Sequence, residues 1–318
     1  MKKRMTKIMY GLVFGGALFC LLPSIALSQD CSVYLFTGGP GGTPYPSIQA
    51  AINSAASFAT IVVTGTCSEN LLINEAKNYI SLLVPTGQPA TIAGSTSSSQ
   101  PTLTILGKGI NVRGFTINGP RDAIQVARGA TVSIESNTIE STEGYGIVVA
   151  FNSYAQIRGN TIQNNPRGGI VVTYNSFARI GISSNSDMNP VPNIIQGNAC
   201  GVIVGGSSSA QIVGNIISSN TEDGVRVTKV SQADISSNTI DDNGRNGILV
   251  EQNSGVNLGK DEGEGIFNEP NSSEVGNGAY GLSCDTGGYA DGRLGTLDGV
   301  GKKTATHFAK SCVDSLIP

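Results

Sequence analysis

Between Asp223 and Arg245 the chain gathers Asp223, Arg226, Lys229, Asp241, Asp242 and Arg245, side chains able to serve as acid, base or cation. Two carboxylates flanking a glycosidic bond can hydrolyse it as acid and base. The adjacent pair Asp241 and Asp242 looks like this arrangement. Successive side chains of an extended chain leave on opposite faces, however, so adjacency alone makes no acid–base pair. The alternative is a ladder of surface ion pairs, with Glu222 facing Arg245, each pair worth little. The one histidine, His307, stands alone in "THFAK", and no cysteine pair has metal-ligand spacing, so a zinc site is not expected.

A second set of candidates is aromatic. Phe151 and Tyr154 recur as Tyr174 and Phe177 at equal offsets. Exposed rings of this kind can stack on sugar faces; packed ones stiffen a turn. Beside them Val148, Val171, Ile203 and Leu249 form an apolar column. Left uncovered, such a column marks an interface for self-association or adhesion. The insertion at 181–192 and the carboxyl-terminal tail are the two segments long enough to cover it.

The chain that must position these groups has 318 residues and 42 glycines, with only 14% charged residues. It opens with Lys2, Lys3, Arg4 and Lys7, then an apolar run, then Ala26-Leu27-Ser28. That is the layout of a secretory signal peptide over residues 1–28, so the mature protein is expected outside the cell or in the periplasm, with no retained membrane anchor. Without the leader, 16 basic residues face 23 acidic ones. A nucleic-acid partner requires the opposite balance. Export permits disulfides. Cys31 with Cys67 and Cys284 with Cys312 would each pin one end, leaving Cys200 as a small buried hydrophobe.

The middle of the chain repeats. "ATVSIESNTIESTEGYGIVVAFN" (130–152) is followed by "SYAQIRGNTIQNNPRGGIVVTYN" (153–175), then by "SSAQIVGNIISSNTEDGVRVTKV" (208–230) and "SQADISSNTIDDNGRNGILVEQN" (231–253). Asn137, Asn160, Asn215 and Asn238 share one column, and Asn165, Asn198, Asn220 and Asn243 a looser one. Residues 176–207 keep the frame around the insertion "ISSNSDMNPVP" through Asn193, Ile195 and Gly201. Each unit carries three short alternating runs, too short for helices. One unit cannot enclose a core, but stacked units can, each strand pairing with its counterpart about 4.8 Å away.

These "NTI…GIVV" units resemble the right-handed parallel β-helix of the pectate-lyase-like fold over roughly 60–284. The resemblance implies an all-β, single-domain solenoid in which "GIVV" is the long strand and the Asn column lies at the bend between the other two strands. There Asn can adopt a left-handed backbone and bond its stacked neighbours. The segment 29–59 supplies a cap: Ile48, Ala51, Ile52 and Ala55 fall on one helical face, with Ser47 as N-cap. Residues 285–318 would cover the other end.

The resemblance also implies polysaccharide as partner, met in a groove beside the long strand. Hydrolases of this fold use clustered aspartates with a histidine; lyases use Arg or Lys with calcium. The outward columns here are Gln125, Val148, Val171, Ile203, Arg226, Leu249 and Ala127, Ala150, Thr173, Gly205, Thr228, Glu251. They hold one carboxylate, Glu251, where an acid cluster or calcium site needs several. The expected function is therefore binding of polysaccharide or cell-surface glycan without a required cofactor, through Phe151, Tyr154, Tyr174 and Phe177. The alternatives are a uronate-polysaccharide lyase or epimerase using Arg226, Lys229, Arg245, Asp223 and Asp242, with calcium, and an adhesive surface protein.

Overall fold

The computed structural model describes residues 30–39, 41–140, 143–259 and 269–300, and the strand backbone of 302–306. The leader, His307 and Cys312 lie outside them. The architecture is a parallel β-solenoid. One coil shows how the repeat builds it: Tyr154–Arg158 lies in a first sheet, Thr161–Gln163 in a second and Gly168–Val172 in a third. Each strand pairs in parallel with its counterpart one coil away, as Ile157 with Ile134 and Ile180, Ile162 with Ile139, and Ile170 with Ile147. The third sheet runs through ten strands.

Alternation sends Ala155, Ile157, Ile162, Ile170 and Val172 into the interior, where all are fully buried. Their equivalents above and below are mostly Ile and Val, so the core is columns of β-branched side chains. Each such burial contributes roughly 1.5–3 kcal/mol. These residues suit a pleated surface and disfavour helix.

Sharp bends inside a packed solenoid bury backbone groups that need partners. Between the first and second sheets the partners are Asn137, Asn160, Asn193, Asn215, Asn238 and Asn271, all buried. Asn160 is typical. Its Nδ2 donates to Ile134 O at 2.9 Å and Asn193 Oδ1 at 2.9 Å, and its Oδ1 accepts from Asn137 N at 2.9 Å. A second ladder, Asn165, Asn198, Asn220, Asn243 and Asn277, closes the bend into the third sheet; Asn198 N donates to Asn220 Oδ1 at 3.0 Å and Asn243 N to Asn277 Oδ1 at 3.2 Å.

The left-handed residue is not the ladder Asn, as expected, but the one before it: Ser136, Gly159, Gly214 and Ser237 in the first ladder. Asn keeps an ordinary backbone so that its amide can point inward. The third bend turns on two successive left-handed residues, such as Phe151-Asn152 and Tyr174-Asn175. It then closes on a serine ladder that the repeat also contains: Ser153 N donates to Ser176 Oγ at 3.2 Å, and Ser176 N to Ser208 Oγ at 3.1 Å.

The amino-terminal end is covered by the helix Ile48–Ser54, with Ser47 accepting Ala50 N–H as its N-cap. Glu69 accepts the N–H of Ile48 at 2.8 Å and of Gln49 at 3.0 Å, satisfying two more free donors. Cys31 and Cys67 form a disulfide, and Cys200 is a free, buried thiol. Cys284 is disulfide-bonded, while Cys312, its expected partner, lies outside the described residues. Parallel pairing continues past residue 284, with Tyr289–Gly292 on Gly255–Leu258 and Lys302–Thr306 on Tyr280–Cys284. Coils therefore extend into the segment expected as an irregular cover. No helix among the described residues is long and apolar enough to cross a membrane.

Candidate functional site

The outward face of the third sheet carries the predicted column in register: Val148 pairs with Val171, Val171 with Ile203, Ile203 with Arg226 and Arg226 with Leu249. Val148, Val171 and Ile203 floor a groove of about 290 Å³. Tyr145 and Asp122 line it with them, as do Tyr174, Thr228 and Lys229. The insertion that could have covered this face lies elsewhere. It connects the first sheet to the second, and is tied to the first by Gln156 Nε2 donating to Ser183 O at 2.9 Å and Arg179 Nη2 to Asn185 Oδ1 at 3.0 Å. Val148, Val171 and Leu249 are 8%, 9% and 8% exposed, and the tail beyond residue 306, the other expected cover, lies outside the described residues. The column is the bottom of a trough, not a flat apolar stripe.

The charged residues singled out in the sequence do not converge. Asp223 is fully buried and saturated: its Oδ2 accepts from Arg226 Nε at 2.9 Å and Nη2 at 2.6 Å, its Oδ1 from Asn246 N at 3.1 Å and Nδ2 at 2.8 Å. Arg226 also donates to Glu222 at 2.8 Å. The anticipated Glu222–Arg245 pair is replaced by this contact, because Arg226 is on the same turn and already turned toward Asp223. Arg245 is exposed, its backbone N–H donating to Glu222 O at 2.9 Å. Asp242 is an exposed left-handed bend residue that accepts from Ser219 Oγ at 3.0 Å. Asp241 accepts the N–H groups of Val275 at 2.9 Å and Gly276 at 3.1 Å, a backbone role in the opposite direction from Asp242. Arg245 and Asp242 thus flank the bend entering the third sheet and Lys229 the bend leaving it. Of the five, Lys229 alone lines the groove.

The four aromatic candidates also divide. Phe151 and Tyr174 stack in parallel, centroids 4.7 Å apart, and are 47% and 58% exposed. Tyr154 and Phe177 stack at 5.7 Å on the first sheet, half-buried, with the Arg179 guanidinium 6.0 Å and 5.7 Å from the two centroids. Arg179 also donates to the Tyr154 hydroxyl at 3.1 Å. That second pair is clamped; the first borders the groove. A third stack, Phe58 on Tyr79 at 4.9 Å, lies in early coils whose unequal lengths hide it from a 23-residue register.

Asp122 and Tyr145 were not among the expected site residues. Their signal is in the sequence: "DAIQV" at 122–126 matches "DGVRV" at 223–227. Asp122 accepts Tyr145 N–H at 2.8 Å just as Asp223 accepts Asn246 N–H, but Gln125 stands where Arg226 would neutralise it. Asp122 also borders a polar pocket of about 270 Å³ with Arg121, Gln125, Glu143 and Arg167. Among the described residues, the one group of three metal-capable side chains is Cys31, Cys67 and Glu69. It is no metal centre, since the sulfurs are bonded to each other and Glu69 caps the helix.

No curated protein matches the chain. Among solved structures it is similar to a periplasmic alginate epimerase, at 13% identity over 99% of this chain and 100% of that one, TM-score 0.48. It is likewise similar to the A-module of the Azotobacter vinelandii mannuronan C-5 epimerase, at 15% identity over 85% and 94%, TM-score 0.43. Likenesses at this level do not bear on chemistry. The family model for a right-handed β-helix region matches residues 59–190 and 171–285, most of the chain. With parallel coils, inward β-branched columns and polar bend ladders all in register, the protein belongs to the right-handed β-helix family.

Proposed function

We propose that this protein binds polysaccharide outside the cytoplasm, in the groove of the third sheet, without cleaving it. The observation that carries this reading is the combination of an apolar trough with an exposed aromatic pair on its rim, while the best-placed acid–base group is consumed internally. Asp223 has no free lone-pair direction facing the groove, and Arg226 is held by two carboxylates. Asp122 keeps a backbone task, so hydrolysis by two free carboxylates finds one at most in the groove. The Cys31–Cys67 disulfide supports an oxidising compartment.

Affinity electrophoresis of residues 29–318 in gels containing pectate, alginate or a neutral β-glucan tests the reading. Retardation by one of them, lost in Tyr174→Ala and kept in Tyr154→Ala, is the expected result. Normal migration in every gel would sink it.

One observation favours a second reading, an epimerase or lyase. Arg121, Arg167, Asp122 and Glu143 share a polar pocket that opens at the same Asp122 as the groove. Two guanidinium groups could neutralise a uronate carboxylate while a carboxylate or Tyr145 moved the adjacent proton. Calcium belongs to this reading only, with Asp122 and Glu143 as the available ligands. Unsaturated chain ends, or an altered uronate composition after incubation with calcium, would establish it and displace the binding-only reading.

A further inference from the structure

The bend leaving the third sheet stacks Phe151, Tyr174, Gly206 and Lys229 in successive coils. Asn152 N donates to Tyr174 O at 3.1 Å, Asn175 N to Gly206 O at 3.0 Å, and Ser207 N to Lys229 O at 3.0 Å. All four residues are left-handed, with φ of 56°, 53°, 61° and 56°. Phe151, Tyr174 and Lys229 adopt that conformation with full side chains, so the left-handed angle by itself does not select glycine at 206, where a Cβ would lie 2.9 Å from Thr173 Oγ1 and 3.1 Å from Tyr174 N. What glycine does there is remove a side chain. The Phe151 ring covers one face of Tyr174 at the spacing of one coil, and the other face looks across Gly206 toward Lys229. In the adjacent outward column, Gly205 is likewise the bare position between Thr173 and Thr228. Gly205, Tyr174, Thr228 and Lys229 all line the groove.

We infer that this gap is a subsite for one sugar ring bearing an acidic group. The ring continues the Phe151–Tyr174 stack over Gly206, and its anion meets Lys229; this rests on the polysaccharide reading above. The dimensions agree. Tyr174 and Lys229 are two coils apart, roughly 9.6 Å along the axis, so a ring midway stands about 4.8 Å from each, within aromatic stacking range. Thr228 Oγ1 sits beside the gap, 3.2 Å from Gln252 Oε1, where it can turn to a sugar hydroxyl. A ring stacked on one face, with a bare position beside the other, is a ready platform, since its second face loses water only when something stacks on it.

The test uses isothermal titration of residues 29–318 with a galacturonate tetramer and, as neutral control, a cellulose tetramer. The acidic tetramer should bind more tightly. Gly206→Phe, which extends the stack into the gap, should remove binding while keeping a single cooperative thermal transition, its midpoint lowered by the left-handed backbone. The new Cβ approaches Thr173 Oγ1 at 2.9 Å, a hydroxyl that can rotate away, and the Tyr174 backbone N at 3.1 Å, which needs a shift of a few tenths of an ångström. Should that variant fail to fold, Gly205→Thr, whose Cβ meets Thr228 at 3.3 Å, narrows the same gap in a column already holding threonines. Tyr174→Ala should weaken binding about 10-fold. Lys229→Ala should weaken it about fivefold at low salt and little at high salt, with Lys229→Arg restoring it. If the acidic tetramer binds and both gap-filling variants bind it equally well, the subsite is wrong and the polysaccharide reading stands. If the neutral tetramer binds as tightly and Lys229→Ala changes nothing, the acidic assignment falls. If wild-type protein binds neither tetramer, the subsite falls, and the polysaccharide reading stands or falls on the gels.

Discussion

Replacing Asp223 by Ala separates a structural carboxylate from a catalytic one. The substitution removes four accepted hydrogen bonds at once, two from Arg226 and two from Asn246. Arg226, with only 22% of its side chain exposed, keeps Glu222 as its sole carboxylate partner, and that partner is itself 44% exposed. Asn246, buried, loses the acceptor for its N–H and its amide. Breaking one side of a buried pair costs about 3–5 kcal/mol, because the remaining charge has been taken from water without compensation. Glu222→Ala touches the same guanidinium from the solvent side and should cost at most about 1 kcal/mol. The column supplies a rescue: Ile203 and Leu249 flank Arg226 in the coils on either side. Arg226→Leu added to Asp223→Ala deletes the orphaned charge and extends the apolar floor, so the double variant should recover much of the loss. Urea unfolding followed by far-UV circular dichroism reads these differences as shifts in midpoint at constant slope. If Asp223→Ala unfolds within about 0.5 kcal/mol of wild type while polysaccharide turnover or binding disappears, the structural assignment of this ion pair is refuted.

The Asn ladder makes a comparable demand. Asn160→Ala strips acceptors and donors from Asn137 N and Ile134 O inside the core, and should cost about 3 kcal/mol. Asn164→Ala, exposed at the next bend, should cost about 1 kcal/mol for its left-handed backbone alone. Cys200 is fully buried, and burial is the main cause pushing its thiol far above the ordinary cysteine value. It should resist alkylation at pH 8 in the native protein and react once urea exposes it; rapid native labelling would contradict that burial. Asp187 fastens the insertion. Its carboxylate accepts from the Ser183 hydroxyl and backbone N–H at 2.6 Å and 2.8 Å, and these bonds hold its pKa below the ordinary 3.8. A lowered acid stabilises above its unfolded pKa and loses that contribution as pH falls through the folded value. The hydrogen-exchange protection factor of residues 181–192, corrected for the intrinsic pH dependence of exchange, should therefore fall below about pH 3.8 and hold steady from pH 5 to 8, and a fall centred near neutrality would contradict the sign.

Periodicity made the solenoid legible, because every coil solves the same two problems: burying β-branched residues and pairing backbone groups at a bend. Ile139, Ile162, Ile195, Ile217 and Ile240 repeat since each sees the same surroundings, all fully buried. The same reasoning explains what stayed hidden. Asp223 and Arg226 look reactive in a line of text, yet their partners Asn246 and Glu222 lie across or along the coil and consume them. The serine ladder at Ser153, Ser176, Ser208, Ser231 and Ser254 looks like ordinary turn composition until its hydroxyls are seen accepting from the coil before. In a repeat protein, a residue that matches its column is explained by the stack. Function is to be sought where a column is broken without structural need. Gly206 breaks a column in which Phe151, Tyr174 and Lys229 carry full side chains at the same left-handed angle. Tyr174 on one side is more than half exposed, and on the other side Lys229 makes no ion pair among the described residues. That unexplained break, and not the conspicuous carboxylates, is where a ligand has room to add the layer the protein leaves out.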